Sequence, residues 1–351
     1  MILVNSSITE LNLTNNYVGD LGVKHLTALL SRATCNISKL GLANNSLSAA
    51  CCTDLATLVS SSQALKELSL SKNDFAASGF TIQFSELSQP TCQLEELELF
   101  CCGITAQCCE DLAANLHSNH VLKKLVLRNN KLEDRGVEQL CSAFQQPISA
   151  LRTLQLEGCM LTSKCCAALA TVLEKSRSLQ HLGLDWNDIG DEGVRQLCQG
   201  LQTPGCVLQT LEMESCELTA GCCGELAQTL SSSHSLTCLV LSDNELGDQG
   251  VKLLSAGLKH PNCVLQTLVL QENNLTAACC KDLEQALDSS SHLTTLDLSR
   301  NLLTDKSVSY LQGLAQSCVS LCTVELRLNK LSRHGKSKLN YPQSWKVSFN
   351  I

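Results

Sequence analysis

Residues 179–189 read Leu179-Gln180-His181-Leu182-Gly183-Leu184-Asp185-Trp186-Asn187-Asp188-Ile189. Leu182 and Leu184 alternate with Gly183 at a period of two. That spacing puts both leucines on one face and Gly183 on the other, and it predicts a short strand. Asn187 stands three residues past the second leucine. Its amide both donates and accepts, so it is expected to satisfy backbone groups where the chain leaves the strand. Further on, Val194-x-x-Leu197-x-x-x-Leu201 has the spacing of a helix that buries one face, and Pro204 stops it. Neither strand nor helix can bury its apolar side alone, so such units must stack.

The same eleven-residue line, L-x-x-L-x-L-x-x-N/C-x-L, recurs through the chain. Its first apolar positions are Ile8, Ile37, Leu65, Leu94, Leu122, Leu151, Leu179, Leu208, Leu236, Leu265, Leu293 and Leu321, at intervals of 28 or 29. This is the pattern of a leucine-rich repeat. Cys replaces Asn at Cys102, Cys159 and Cys216. Two consecutive repeats make 57 residues, and other residue types obey that longer period. Cys-Cys pairs begin at Cys51, Cys108, Cys165, Cys222 and Cys279. Prolines fall at Pro90, Pro147, Pro204 and Pro261, and glycines at Gly22, Gly79, Gly136, Gly193 and Gly250. One repeat type opens its helix with Gly-Asp-x-Gly-Val (Gly19 to Val23, Gly190 to Val194, Gly247 to Val251). The other opens with Leu-Thr-x-x-Cys-Cys (Leu161 to Cys166, Leu218 to Cys223, Leu275 to Cys280). In each, the Asp or Thr is expected to cap the helix. The expected fold is an α/β leucine-rich-repeat horseshoe solenoid, with a parallel sheet lining the concave face and helices on the convex face. Residues 1–340 should hold about twelve repeats of 28 or 29 residues, and 341–351 a C-terminal cap or tail in which Tyr341, Pro342, Trp345, Val347 and Phe349 close the stack.

Composition narrows the function. Asp plus Glu outnumber Lys plus Arg by 34 to 26, a net charge of −8 without a basic run, which argues against a nucleic-acid partner. No apolar run is long enough to span a membrane, and Met1 to Ile8 turns polar from Asn5, too soon for a signal peptide. A soluble, cytoplasmic protein is expected. The chain has 23 cysteines, an odd number, in a sequence rich enough in leucine to need no staples. Adjacent cysteines point apart, no C-x-x-C occurs, and no His pair stands at finger spacing, so the thiols read as reduced, buried small hydrophobes rather than disulfides or a metal site. No nucleophile elbow, H-E-x-x-H helix or G-x-G-x-x-G loop occurs, and no cofactor is expected. Residues repeating every 57 positions serve structure, whereas a catalytic group is needed once. Cys238, on a strand and outside the paired set, is the one candidate nucleophile.

The alternation of Gly-Asp-x-Gly-Val with Leu-Thr-x-x-Cys-Cys resembles the ribonuclease-inhibitor type of leucine-rich repeat, and most of all the C-terminal repeat region of the NLRP family. That resemblance covers residues 8 to about 340. It implies a cytoplasmic protein in innate-immune sensing and inflammasome regulation, or in germline and early-embryo function. It also implies a NACHT-type nucleotide-binding module upstream in a longer form. Within this sequence the one Gly-Lys-Ser string is Gly335-Lys336-Ser337, and Lys330 stands where a phosphate loop has its first glycine, so no ATP binding is expected here. Because Met1 lies almost on the first repeat, the sequence reads as a short isoform or fragment. A stand-alone inhibitor of a basic protein, by analogy with ribonuclease inhibitor, is the alternative.

Binding is expected on strand positions that face away from the core. Those positions carry Glu96, Glu98, Phe100, Arg128, Glu157, Asp185, Trp186, Glu212, Glu214, Asp243 and Glu272, with Lys124 among them. The middle of the arc should therefore be acidic, with Trp186 and Phe100 as apolar anchors for a protein partner that has a basic face. Solvated polar residues that keep a long repeat protein soluble are the other account of the same positions.

Overall fold

Among the described residues, each repeat opens on a strand of three residues and most return through an α-helix. The computed structural model describes residues 7–32, 34–75, 85–146, 149–287, 292–340 and 346–351. Gly79, Pro147, Tyr341, Pro342 and Trp345 lie outside them. The chain divides into two compact units, one formed by Met1–Leu161 and Lys175–Leu182, the other by Thr162–Glu174 and Gly183–Ile351.

In the first unit β1 (Glu10–Asn12), β2 (Lys39–Gly41), β3 (Glu67–Ser69), β4 (Glu96–Glu98), β5 (Lys124–Val126) and β6 (Thr153–Gln155) pair in sequence order, all parallel. The strand β7, His181–Gly183, has residues in both units. The second unit repeats the arrangement with β8 (Thr210–Glu212), β9 (Cys238–Val240), β10 (Thr267–Val269), β11 (Thr295–Asp297), β12 (Thr323–Glu325) and β13 (Ser348–Asn350). Register follows the repeat: Leu211, Leu239, Leu268, Leu296, Val324 and Phe349 stand opposite one another along the sheet. From β2 to β11 the strand leucines on one side are buried, as are leucines of the helices such as Leu226, Leu230, Leu254 and Leu283, whereas Leu11 of β1 is half-buried. The leucine-rich-repeat solenoid expected from the sequence is the fold, with sheet and helices on opposite sides of each repeat.

The asparagines span neighbouring repeats as well as closing their own turns. Asn244 donates to the carbonyls of Met213 and Leu241 and accepts from the amides of Cys216 and Leu218 in the preceding repeat. Asn73, Asn130 and Asn301 bond in the same way. Cys102, Cys159 and Cys216 make the donor half, each thiol pointing at the carbonyl of Leu70, Leu127 or Leu184 at 3.2 to 3.3 Å.

Two different joints alternate, and together they explain why the long period is 57 residues. In one, the glycine of Gly-Asp-x-Gly-Val lies against the preceding Cys-Cys repeat, and a Cβ on Gly193 would stand 2.9 Å from Cys166 Sγ. The same contact recurs at Gly136 with Cys109 and at Gly250 with Cys223. In the other, the aspartate reaches forward. Asp191 accepts from the amide and hydroxyl of Thr219 at 2.9 and 2.5 Å, Asp248 from those of Thr276 at 2.8 and 2.5 Å, and Asp20 from those of Ser48. The expected capping therefore holds for Thr162, Thr219 and Thr276, whose hydroxyls accept from the amide two residues on. It does not hold for the aspartates. Gly-Asp helices are capped two residues before the aspartate, by Val18, Ile189 or Leu246 with no side-chain bond there, and the aspartate ties down the cap of the next repeat.

This clamp has a pH dependence. Burial works against ionisation of Asp20, but the hydroxyl and amide of Ser48 outweigh it and hold the carboxyl below its ordinary range. The Ser332 hydroxyl and amide do the same for Asp305. A lowered folded value means that the stabilisation is complete above the ordinary aspartate value of about 3.9 and is lost as pH falls through the folded one. Corrected for intrinsic rate, amide exchange at Ser48 and Ser332 should accelerate between about pH 4 and 2. Protection that persists to the bottom of that range contradicts the clamp.

Candidate functional site

In every repeat the residue two places after the second strand leucine has a positive φ, from Asn15 (64°) through Trp186 (56°), Asp243 (51°) and Glu272 (55°) to Leu328 (57°). That left-handed step turns the chain off the strand just before the Asn or Cys. It favours Gly and Asn, and other residue types adopt it at a cost of about 1 kcal/mol. Sequence pattern does not expose this position, because it is held by residues as different as Lys72, Cys101, Trp186 and Arg300.

In the first unit the acids on the strand face are matched by cations. Lys39 lies 2.7 Å from Glu67, and Lys124 lies between Glu98 at 3.0 Å and Glu96 at 3.5 Å. Glu157 is only 2% exposed, with Arg128 Nε 3.5 Å from its carboxylate, so it is covered rather than presented. Phe100 is half-buried beneath Lys72, whose ammonium lies 5.6 Å from the ring centre.

The second unit differs. Its face carries Asp185, Glu212, Glu214, Asp243 and Glu272, and the depression beside it is walled by Asp188, Glu217 and Glu245, acids of the turn edge that the strand offsets do not reveal. Glu214 is ringed by like charge: burial first, then Asp243, Glu272 and Glu212, push its carboxyl above the ordinary range. Asp185 accepts from the Glu214 amide at 2.7 Å, Asp243 from the Ser215 hydroxyl, and Arg300 pairs with Glu272 at 2.7 Å. Trp186 donates its backbone N–H to the Glu214 carbonyl at 2.8 Å and leaves its side chain 51% exposed.

The cysteines are all free thiols, and eighteen of the 23 are buried. Burial pushes Cys102, Cys109, Cys159 and Cys216 up to about 12. Burial and Glu212 also push the Cys238 thiol up, the opposite of what a nucleophile requires. Gly335-Lys336-Ser337 lies inside the helix Arg333–Leu339, not in a loop. Among the described residues no helix is long and apolar enough to cross a membrane.

These repeats define a leucine-rich-repeat protein, and the Leucine Rich repeat family matches at residues 4–26, 118–141, 175–198, 232–255 and 289–311. The chain belongs to the ribonuclease-inhibitor type of that class, with repeats of the kind carried by the NLRP proteins. It is 37% identical to the ribonuclease inhibitor of Sus scrofa over 336 residues, covering 95% of this chain and 74% of that protein. It is 41% identical to the NACHT, LRR and PYD domains-containing protein 3 of Homo sapiens over 272 residues, 78% of this chain, and spans 26% of that relative's length. Among solved structures, an internalin from Listeria monocytogenes shares the fold with a TM-score of 0.54 at 19% identity, over 98% of this chain and 87% of that one.

Proposed function

We propose that the chain is a cytoplasmic, non-enzymatic protein-interaction module that presents the acidic face of its second unit, anchored by Trp186, to a partner with a basic face. The observation that carries this is the crowding of Glu212, Asp243 and Glu272 about Glu214, tight enough to raise its carboxyl, with the exposed Trp186 bonded through its backbone N–H to the Glu214 carbonyl. Repulsion among those carboxylates is relieved by an incoming cation, and the field they project speeds encounter with one. Trp186 supplies the apolar contact around which such interfaces concentrate their binding energy. The NLRP relationship supports a repeat region that senses a ligand or restrains a NACHT-type module in a longer chain, in innate-immune regulation or in the germline and early embryo.

The test is a double reversal, Glu212→Lys with Glu214→Lys. Asp185 is kept because its carboxylate holds the Glu214 amide. Affinity for a nona-arginine peptide should fall at least about tenfold, roughly 1.4 kcal/mol, with thermal melting unchanged. Equal affinity for the reversed protein defeats the proposal.

A second reading has its own observation, the match to 74% of the pig ribonuclease inhibitor. In it the chain is a stand-alone inhibitor of a basic enzyme. Titrating the chain into a pancreatic-type ribonuclease assay decides between the two: stoichiometric inhibition supports the inhibitor, and full activity at excess chain supports the module.

A further inference from the structure

The chain is acidic overall, yet between Leu298 and Asn340 it carries seven Arg and Lys against two acids, so this stretch is +5 in a chain of net −8. The cations Arg300, Lys306, Arg327, Lys330, Arg333 and Lys338 are all exposed; Arg300 pairs with Glu272 at 2.7 Å and Arg327 Nε lies 3.6 Å from Glu325, so an incoming carboxylate competes with these two partners and meets Lys330 beside them. Repeat geometry brings Arg300, Arg327 and Lys330 to one turn edge, whereas Lys306, Arg333 and Lys338 stand on helical segments. Arg300 and Leu328 hold the left-handed position of successive repeats, the Arg300 N–H donating to the Arg327 carbonyl at 2.8 Å. Leu302 and Lys330 hold the next column, where the Lys330 amide donates to the Leu303 carbonyl at 2.9 Å.

Amid these cations Leu328 is anomalous twice over. A leucine in left-handed backbone is strained, and its side chain is 74% exposed, so no core burial offsets the strain. Elsewhere in that column the described apolar side chain of comparable size is Trp186, which sits on the acidic face. Leu302, in the neighbouring column, is also exposed. Exposed apolar residues grouped on a charged rim mark a docking surface.

We infer that the turn edge formed by Arg300, Leu302, Arg327, Leu328 and Lys330 docks an acidic protein segment whose carboxylates meet the guanidinium and ammonium groups and whose apolar side chain covers Leu328. The charge selects an anion. The leucines select a peptide over a bare phosphate or nucleic-acid backbone, which offers nothing to an aliphatic side chain. This surface is opposite in sign to the acidic face of the second unit and takes a different partner; the two meet at the Arg300–Glu272 pair, and the variants below change Arg327, Leu328 and Lys330 instead, so failure here is distinguishable from failure of the acidic face.

The test uses the full chain and two synthetic octapeptides of equal charge, one of alternating Glu-Asp pairs and leucines, the other with serine for leucine. The leucine peptide should bind at least about fivefold more tightly than the serine peptide, and high salt should weaken both. Arg327→Glu with Lys330→Glu should abolish binding. Leu328→Asn should lower affinity while leaving thermal stability equal or higher, because asparagine accepts left-handed backbone. A merely structural leucine would show the reverse. Three outcomes overturn the inference: equal binding of both peptides, tighter binding of an oligonucleotide or an anionic-lipid vesicle than of the leucine peptide, or a self-association lost in the charge reversal that makes a second copy the occupant.

Discussion

Replacing Gly257 by leucine should lower the free energy of unfolding by about 3 kcal/mol or more, read as a fall in the urea midpoint. Gly257 lies in the helix Gly247–Leu258, which packs on the helix Cys223–Ser232 of the preceding repeat. A Cβ at Gly257 would stand 2.4 Å from the carbonyl oxygen of Ala227 and 2.7 Å from its Cα. Both atoms belong to backbone, so nothing there can rotate aside, and the helices must separate along a core of close-packed leucines. Gly200 meets Ala170 in the same way one long period earlier. The alanine substitution sharpens the test through its sign. Gly224, also inside a helix, has open space where a Cβ would sit, so Gly224→Ala should raise stability by about 0.5 to 1 kcal/mol through ordinary helix propensity. Gly257→Ala should lower it by about 1 to 2 kcal/mol. The milder figure for one methyl is consistent with Ala143, buried at the corresponding place in the first unit's helix Glu133–Phe144. If Gly257→Ala and Gly224→Ala both stabilise, close helix contact is not what selects glycine.

What the sequence makes legible follows from what repetition records. The leucines of the strands recur along the chain and the turn position is Asn in all repeats but three, where it is Cys, and each has one chemically obvious task, so strand, turn and helix can be placed from residues 179–189 and carried along the chain. Partners are less visible. That Gly193 shares a period with Cys166, and Asp191 with Thr219, shows in the spacing, but which touches which depends on how one repeat sits on the next. The alternation of Cys with Asn belongs here too. Cys159 and Cys216 follow Gly-Asp type repeats, whose turn amides at Glu133 and Gly190 bond to the cysteine carbonyl. The Gly19 and Gly247 amides bond in the same way to the carbonyls of Asn45 and Asn273, so this bond alone does not select cysteine. The candidate face was legible as a set of positions and less so as an electrostatic surface, because counting acids along strand offsets does not show that Lys124 stands between Glu96 and Glu98 or that Glu157 is covered. The left-handed column that presents Trp186 and Leu328 has no residue signature at all, since its shape is imposed by the turn rather than by the side chain.

The asparagine turns support the second large expectation: Asn301→Ala should cost about 4 kcal/mol, and Asn301→Cys roughly half of that. Asn301 is buried, accepts from the amides of Asn273 and Leu275 at 2.9 and 3.0 Å, and donates to the carbonyls of Leu270 and Leu298 at 2.9 and 3.1 Å. With the Ser299 carbonyl, to which Asn301 also donates at 3.0 Å, alanine leaves five backbone groups in a buried turn without this partner, and each buried group left unsatisfied costs about 1 to 3 kcal/mol before relaxation. Cysteine restores the donor half, as the thiols of Cys102, Cys159 and Cys216 do, but returns no strong acceptor to the two amides. Because each repeat leans only on its neighbours, the damage should begin locally. Hydrogen exchange in the alanine variant should accelerate first at Asn273, Leu275 and the strands Thr267–Val269 and Thr295–Asp297, and should leave the first unit near its original protection at low denaturant. An alanine variant within about 1 kcal/mol of the parent, or one whose exchange rises uniformly along the chain, would show that the turns are held by backbone and leucine packing and that the asparagines only decorate them.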